Sequence, residues 1–172
     1  MSNTYRRIVL ASRPTGCVVP DNFRLETLPI PRLGPDEVLV RNHYLSLDPY
    51  MRGRMNEEKS YARPQEVGAT MIGATVGEVA ASHHPAFTIG SHVRGMLGWS
   101  EFGVVNGQAL ERIDTRKIPM SAHLGAVGMP GMAAWYGYHR ILAPKAGETV
   151  VVSAASGAVG SVVGQLAKLG GL

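Results

Sequence analysis

The sequence predicts a β-rich domain of antiparallel barrel or sandwich type, followed by the opening βα unit of a doubly wound α/β domain. Three observations predict it. Up to residue 120, short alternating segments are separated by turn chemistry, in a chain of 172 residues with 21 glycines and 11 prolines. Beyond that point, residues 149–154 form a continuous apolar run of the kind found in buried parallel strands. A glycine turn then leads into Val159, Val162, Val163, Leu166 and Leu169, which share one helical face.

The elements come in order. Residues 6–11 form a first strand, closed by the Pro14-Thr15-Gly16 turn. Pro20-Asp21-Asn22 leads into a second strand at 23–26. After the Gly34-Pro35-Asp36 turn, residues 37–44 alternate, with Val38, Val40, Asn42 and Tyr44 expected on one face. Residues 69–81 combine small and β-branched residues with Gly73 and Gly77, which suggests a strand bent at a close packing point. Strands are expected at 92–97, 99–105 and 110–113, with an Asn106-Gly107 turn between the last two. Near residue 120 the character changes. Ser121 can cap a helix through Leu124 and Val127, and a second helix can run from Pro130 to Leu142. The division is therefore drawn as 1–120 and 121–172. A parallel strand needs strands on its edges and helices on its faces, so the second domain is expected to be incomplete in this chain.

Charge and cysteine content limit the function classes. Lys and Arg total 17 against 13 Asp and Glu, a formal +4. The basic residues are scattered, which argues against a nucleic-acid footprint and leaves room for a small anionic ligand. Cys17 is the single cysteine, so neither an internal disulfide nor a Cys-rich zinc site can form. His83, His84 and His123 lack partners at metal-ligand spacing, and no metal is expected. The apolar stretch after Arg7 is too short for a signal peptide, and no run suits a membrane span. A cytoplasmic location is the expectation.

The chemical signal is Ala154-Ala155-Ser156-Gly157-Ala158-Val159-Gly160, between the expected strand and helix. Glycine at 157 removes a Cβ where a pyrophosphate would approach, and glycine at 160 lets the helix sit close to the strand. A helix N-terminus offers N–H groups and partial positive charge to phosphates. Ala154 stands where the usual fingerprint has its first glycine. A tight βα turn with no ligand is the competing reading. The residue that would read the ribose falls about 20 positions on, past Leu172.

Three blocks then carry a resemblance: Leu45-Ser46-Leu47-Asp48-Pro49-Tyr50-Met51-Arg52-Gly53-Arg54-Met55, Gly128-Met129-Pro130-Gly131, and the glycine turn. Ala11-Ser12-Arg13-Pro14 and Pro20-Asp21-Asn22-Phe23-Arg24 add to it. The chain resembles the N-terminal half of zinc-free medium-chain dehydrogenase/reductases, in the NADPH-dependent double-bond reductase group of curcumin, prostaglandin and alkenal reductases. The resemblance implies a GroES-like catalytic domain followed by the start of a Rossmann domain, truncated here. It implies NADP(H) as cofactor, a small apolar enone or enal as substrate, and a homodimer by analogy; no nucleic acid or membrane partner is expected. Pro49, Met129, Pro130 and Ala133 would lie at the nicotinamide end, and Ser156, Gly157, Ala158, Val159 and Gly160 at the pyrophosphate. Tyr50 and Tyr61 are candidate substrate hydroxyls, each with a bland alternative: Tyr50 as a core tyrosine, Tyr61 as part of a polar loop at 56–65. No catalytic residue is identified, because the usual candidate lies in the half not present. The family commonly has Thr, Ala, Tyr where Ala133, Ala134 and Trp135 stand, which puts one cofactor contact in doubt. Arg52 reads as a structural or phosphate-side residue.

A zinc alcohol dehydrogenase would need a cysteine in 45–50 and a histidine in 68–77, and neither is present. A quinone reductase of the same superfamily remains an alternative, as does a non-catalytic folded fragment. The isolated chain is expected to be inactive.

Overall fold

The alternating segments of the first 113 residues fold into antiparallel strands, in the computed structural model that describes residues 3–58 and 62–171. Strand β1 (Thr4–Leu10) pairs with β2 (Phe23–Pro29), placing Leu10 opposite Phe23. A five-stranded sheet has the order β6-β3-β4-β5-β7, where β3 is Glu37–Leu45, β4 Thr75–Ser82, β5 His92–Gly95, β6 Phe102–Asn106 and β7 Glu111–Arg112. The free edge of β1 is laced to this unit: Ile8 N donates to Trp99 O at 2.8 Å, Leu10 N to Ala69 O at 3.2 Å, and Met71 N to Ile8 O at 2.9 Å. Residues 69–71 therefore serve β1, and the strand expected at 69–81 begins only at Thr75.

Two apolar clusters form. Val38, Val40, Val79, Phe87 and Val93 pack within the large sheet, with Leu97 and Leu110 against them. Leu10, Met55 and Met71 form the second, with Ile8, Phe23 and Trp99 at its margin. Phe23 and Trp99 stack at 5.4 Å. Strand β3 departs from simple alternation. Its register against β4 shifts between Leu39 and Val40 and between Asn42 and Tyr44. A bulge re-aims the side chains beyond it, so Val38 and Val40 are buried while Tyr44 is half exposed.

Contacts divide the chain into Met1–Thr115 and Arg116–Leu172. In the second unit, the helix expected from Ser121 is a single 3-10 turn, Met120–Leu124. The helix expected at 130–142 starts one residue earlier and changes pitch: Met129–Tyr136 is α-helical and Gly137–Leu142 continues with π-type turns, ended by Ala143 in the left-handed region. The apolar run 149–154 is not a strand. It finds no ladder partner among the described residues, and Val151 is 89% exposed. A strand is a paired object, so hydrophobicity alone does not make one. A helix at Gly160–Leu169 comes next, as the periodicity predicts.

Met71, 1% exposed in the second cluster, is expected to cost about 2–5 kcal/mol when changed to Ala, through lost contacts and a residual cavity. Leu25, 61% exposed, should cost within about 0.5 kcal/mol for the same truncation, and denaturant unfolding of the two variants checks the contrast. A second expectation concerns acid. Arg6 donates side-chain and then backbone hydrogen bonds to Glu101, holding its carboxyl below the usual carboxylate range. A depressed folded pKa stabilises above the unfolded value and loses that contribution as pH falls through the folded one. Melting of Glu101→Gln should therefore lie below wild type above about pH 5, and the gap should narrow progressively as pH falls below the ordinary carboxylate range of about 4.

Candidate functional site

The first set of candidates sits on a one-turn helix that the sequence reading did not separate from its surroundings. Ser46 Oγ bonds Asp48 Oδ1 at 3.0 Å, and the Asp48 and Pro49 carbonyls accept from the N–H groups of Met51 and Arg52 at 3.1 Å each. Pro49, with its φ of −57°, thus starts helix α1 (Tyr50–Arg54). Met51 and Met55 are buried, one turn apart, and fix which face of α1 points inward. Pro49 is exposed and Tyr50, the first residue of the helix, is half-buried. Tyr61 lies outside the described residues. Among the described residues that follow is one the sequence reading missed: Gln65 is 8% exposed, donates from Nε2 to Thr70 O at 3.1 Å, and accepts from Ile72 N at 3.2 Å. Its own N–H donates to Arg54 O at 2.6 Å, tying Gln65 to α1. A buried glutamine within a polar stretch leaves no trace in hydropathy.

The second set lies in the Arg116–Leu172 unit. Helix α2 (Met129–Tyr136) begins after the buried Gly128, with Pro130 in its first turn. Met129 is 73% exposed, Pro130 half-buried and Ala133 exposed. One side of α2 borders a cleft of about 530 Å³ lined by Ala126, Val127, Gly128, Gly131, Met132 and Trp135, with Tyr136 at its end. Met129, Pro130 and Ala133 are not among its walls. Trp135 carries His139 at 5.2 Å between ring centroids and the Arg140 guanidinium at 5.8 Å from its own, two neighbours the sequence reading did not single out.

The glycine turn runs into helix α3 (Gly160–Leu169), whose start has no side-chain cap. Gly157 N donates to Ala154 O at 3.0 Å and Ser161 N to Gly157 O at 2.9 Å. The two glycines differ in what requires them. A Cβ on Gly160 would sit 2.0 Å from Ala154 O, so packing of helix against turn admits no side chain. A Cβ on Gly157 would meet only Ala154, its O at 3.2 Å, and the residue is not among those with positive φ. The fold thus needs glycine at 160 and barely at 157. Ser156, Gly157, Ala158 and Val159 are all exposed. The open face of the turn is a place where a ligand can meet backbone, and the residues present fit a phosphate group there.

Charge points the same way. Arg116, Lys117, Arg140, Lys145 and Lys168 face a single acidic residue, Glu148, in this unit, while charges balance over 1–115; the formal +4 of the chain therefore resides here. Among the described residues no group of three His, Cys, Asp or Glu could hold a metal ion, and no helix is long and apolar enough to cross a membrane.

Residues 6–113 match the family described as the N-terminal domain of oxidoreductase. Over 166 residues the chain is 48% identical to the NADPH-dependent curcumin reductase of Escherichia coli (strain K12), covering 96% of this chain and 48% of that protein. It is 41% identical over 170 residues to the 2-alkenal reductase (NADP(+)-dependent) of Nicotiana tabacum, covering 95% of this chain and 49% of that one. The crystal structure of CurA in complex with NADPH from Vibrio vulnificus superposes with a TM-score of 0.89 at 46% identity, over 96% of this chain and 49% of that one. The chain spans about half the length of the curated relatives it matches.

The separate needs of the two glycines give one expectation. Gly160→Ala should destabilise the second unit by at least about 2 kcal/mol, whereas Gly157→Ala should stay within about 1 kcal/mol of wild type, as read by denaturant unfolding. Equal costs would remove the distinction between a packing glycine and an open one.

With the family match over 6–113, identity above 40% along nearly its whole length and the same backbone, the chain belongs to the medium-chain dehydrogenase/reductases, in the group that holds the curcumin, alkenal and prostaglandin reductases, and corresponds to their N-terminal halves.

Proposed function

We propose that this chain supplies the catalytic domain, residues 1–120, and the first βα unit of the cofactor domain, 121–172, of an NADPH-dependent reductase acting on the carbon–carbon double bond of α,β-unsaturated aldehydes and ketones. The observation that carries the reading is the contrast between Gly157 and Gly160: packing explains the second glycine, and approach of a phosphate to backbone explains the first. The excess of basic residues in the same unit suits an anionic dinucleotide. Relatives more than 40% identical are named as an NADPH-dependent curcumin reductase and an NADP(+)-dependent 2-alkenal reductase.

In this reading Ser156, Gly157, Ala158, Val159 and Gly160 hold the pyrophosphate with backbone N–H groups, and Pro49, Met129, Pro130 and Ala133 bound the nicotinamide. NADPH supplies the hydride that reduces the β-carbon. The chain's own residues bind and orient. Tyr50 and Tyr61 supply hydroxyls to the substrate pocket, and the donor that stabilises charge developing on the enolate is assigned to neither. Ala133 offers no hydroxyl to the cofactor, so binding there rests on shape alone. The exposed run 149–154, unpaired among the described residues, supports the further reading that these 172 residues alone do not turn over substrate.

The test is Gly157→Glu in the enzyme expressed from its complete gene. A carboxylate at that point should abolish NADPH binding in a fluorescence titration while the melting temperature without nucleotide falls by only a few degrees, and unchanged affinity would sink the assignment.

A further inference from the structure

The Asp-Pro-Tyr-Met-Arg block contains a cation that the proposed chemistry does not use. Arg52 lies two residues from Tyr50 on α1, and side chains at that spacing do not face each other on a helix. Its guanidinium reaches away from the helix and bridges two neutral acceptors: Nη2 donates to Gly16 O and Nη1 to Asn56 Oδ1, both at 2.6 Å. Beside it, Arg13 Nη1 donates to Met55 O at 2.8 Å, just past the helix end, and Arg13 Nε to Glu57 Oε1 at 2.9 Å. Both arginines thus join α1 and its exit to the loop after β1.

That loop is itself held firmly. Asn22, 6% exposed, accepts at its carbonyl from Ala11 N at 2.7 Å, donates from Nδ2 to Ser12 Oγ at 3.1 Å, and accepts at Oδ1 from Val19 N at 2.9 Å. The loop is therefore pinned to the start of β2 at both of its ends, and Gly16 lies between them. A five-residue helix cannot hold its own orientation, because one turn has too few backbone bonds. Met51 and Met55 set which face of α1 points inward, but apolar contacts are non-directional and leave small rotations about the helix axis cheap. Directed hydrogen bonds supply what they lack: Gln65 N and Arg13 Nη1 hold the carbonyls of Arg54 and Met55 at the helix exit, and Arg52 adds a side-chain bridge from the helix itself. Functional side chains need to be held within about 10–20° of the productive orientation, so a bridge that stops α1 from turning governs where Tyr50 points.

We propose that Arg52 is a positioning residue for Tyr50, acting by bridging Gly16 O and Asn56 rather than by its charge. The inference rests on the reading of Tyr50 as a substrate hydroxyl. The cleft over this bridge, about 410 Å³, is lined by Arg13, Arg52, Glu57 and Glu58 among others, so its charges cancel and it is not read as an anion site.

The experiment uses the enzyme from its complete gene, with NADPH and 3-penten-2-one as probe. Variants are Tyr50→Phe, Arg52→Lys, Arg52→Gln, Asn56→Ala and the double Tyr50→Phe/Arg52→Lys. Lysine keeps the charge but, as a compact ammonium on a flexible stem, does not reproduce the planar two-ended bridge. Arg52→Lys and Arg52→Gln should each lower kcat/KM about 5- to 50-fold, with the NADPH dissociation constant within about twofold of wild type. Asn56→Ala, which leaves one of the two bonds, should show a smaller loss in the same direction, and it carries the test if the Arg52 variants fail to fold. The double variant should be no slower than Tyr50→Phe alone, because a residue that acts through the Tyr50 hydroxyl has nothing left to position once that hydroxyl is gone. Wild-type kinetics in Arg52→Lys, or losses that multiply in the double variant, would overturn the proposal and leave the Tyr50 reading standing. Full activity in Tyr50→Phe would overturn both.

Discussion

The lacing of β1 on both of its edges is the constraint on which the placement of α1 depends. One edge pairs with β2 along seven residues, and the other bonds to the segments around Ala69, Met71 and Trp99. Backbone N–H and C=O groups that are taken out of water must find partners, and here the partners come from three distant stretches of chain. Once those stretches are joined, Leu10 and Met71 lie together and create the apolar seat on which Met55, at the exit of α1, comes to rest. The position of α1, and of Pro49 and Tyr50 at its start, is thus set by a hydrogen-bond pattern some distance from either residue. A strand that served only β2 would leave that seat open.

Much of this was legible in the chain, and for identifiable reasons. Alternation between turn residues marks β1, β2, β3, β5 and β6, because a sheet with one buried face writes its period into the sequence. The apolar spacing from Val159 to Leu169 marks α3 for the corresponding reason. The features that escaped have a physical explanation too. Helix α1 is shorter than any period that could reveal it. Tyr44 leaves the expected face through a bulge, which depends on the partner strand as much as on β3. Gln65 and Asn22 are buried polar groups, whose place is set by hydrogen bonds across the fold and not by hydropathy. The run 149–154 shows the converse: its composition suits a strand, but pairing is supplied by neighbours and none is present among the described residues.

At the glycine turn, sequence and structure contribute different things. The spacing of Gly157 and Gly160 between an apolar run and a helical stretch identifies the motif. Only the geometry separates a glycine needed for helix packing from one that leaves a surface open. The two units also differ in charge, with one neutral and the other carrying the chain's whole excess. An anion approaching from solution feels such an asymmetry over roughly a Debye length, about 8–10 Å at physiological salt, before any hydrogen bond forms.

The π-type turns at Gly137–Leu142 have a consequence for how this segment tolerates change in length. A π turn is an α-helix carrying one surplus residue, and here the surplus lets Arg140 lie over the Trp135 ring five positions earlier. Excising one residue between them would relax the segment to an ordinary α-helix and bring the arginine to the fourth position after Trp135, which faces the indole again. The chain beyond would then keep nearly its bearing. These six residues hold a spare position, so the contact they make is fixed more strictly than their number.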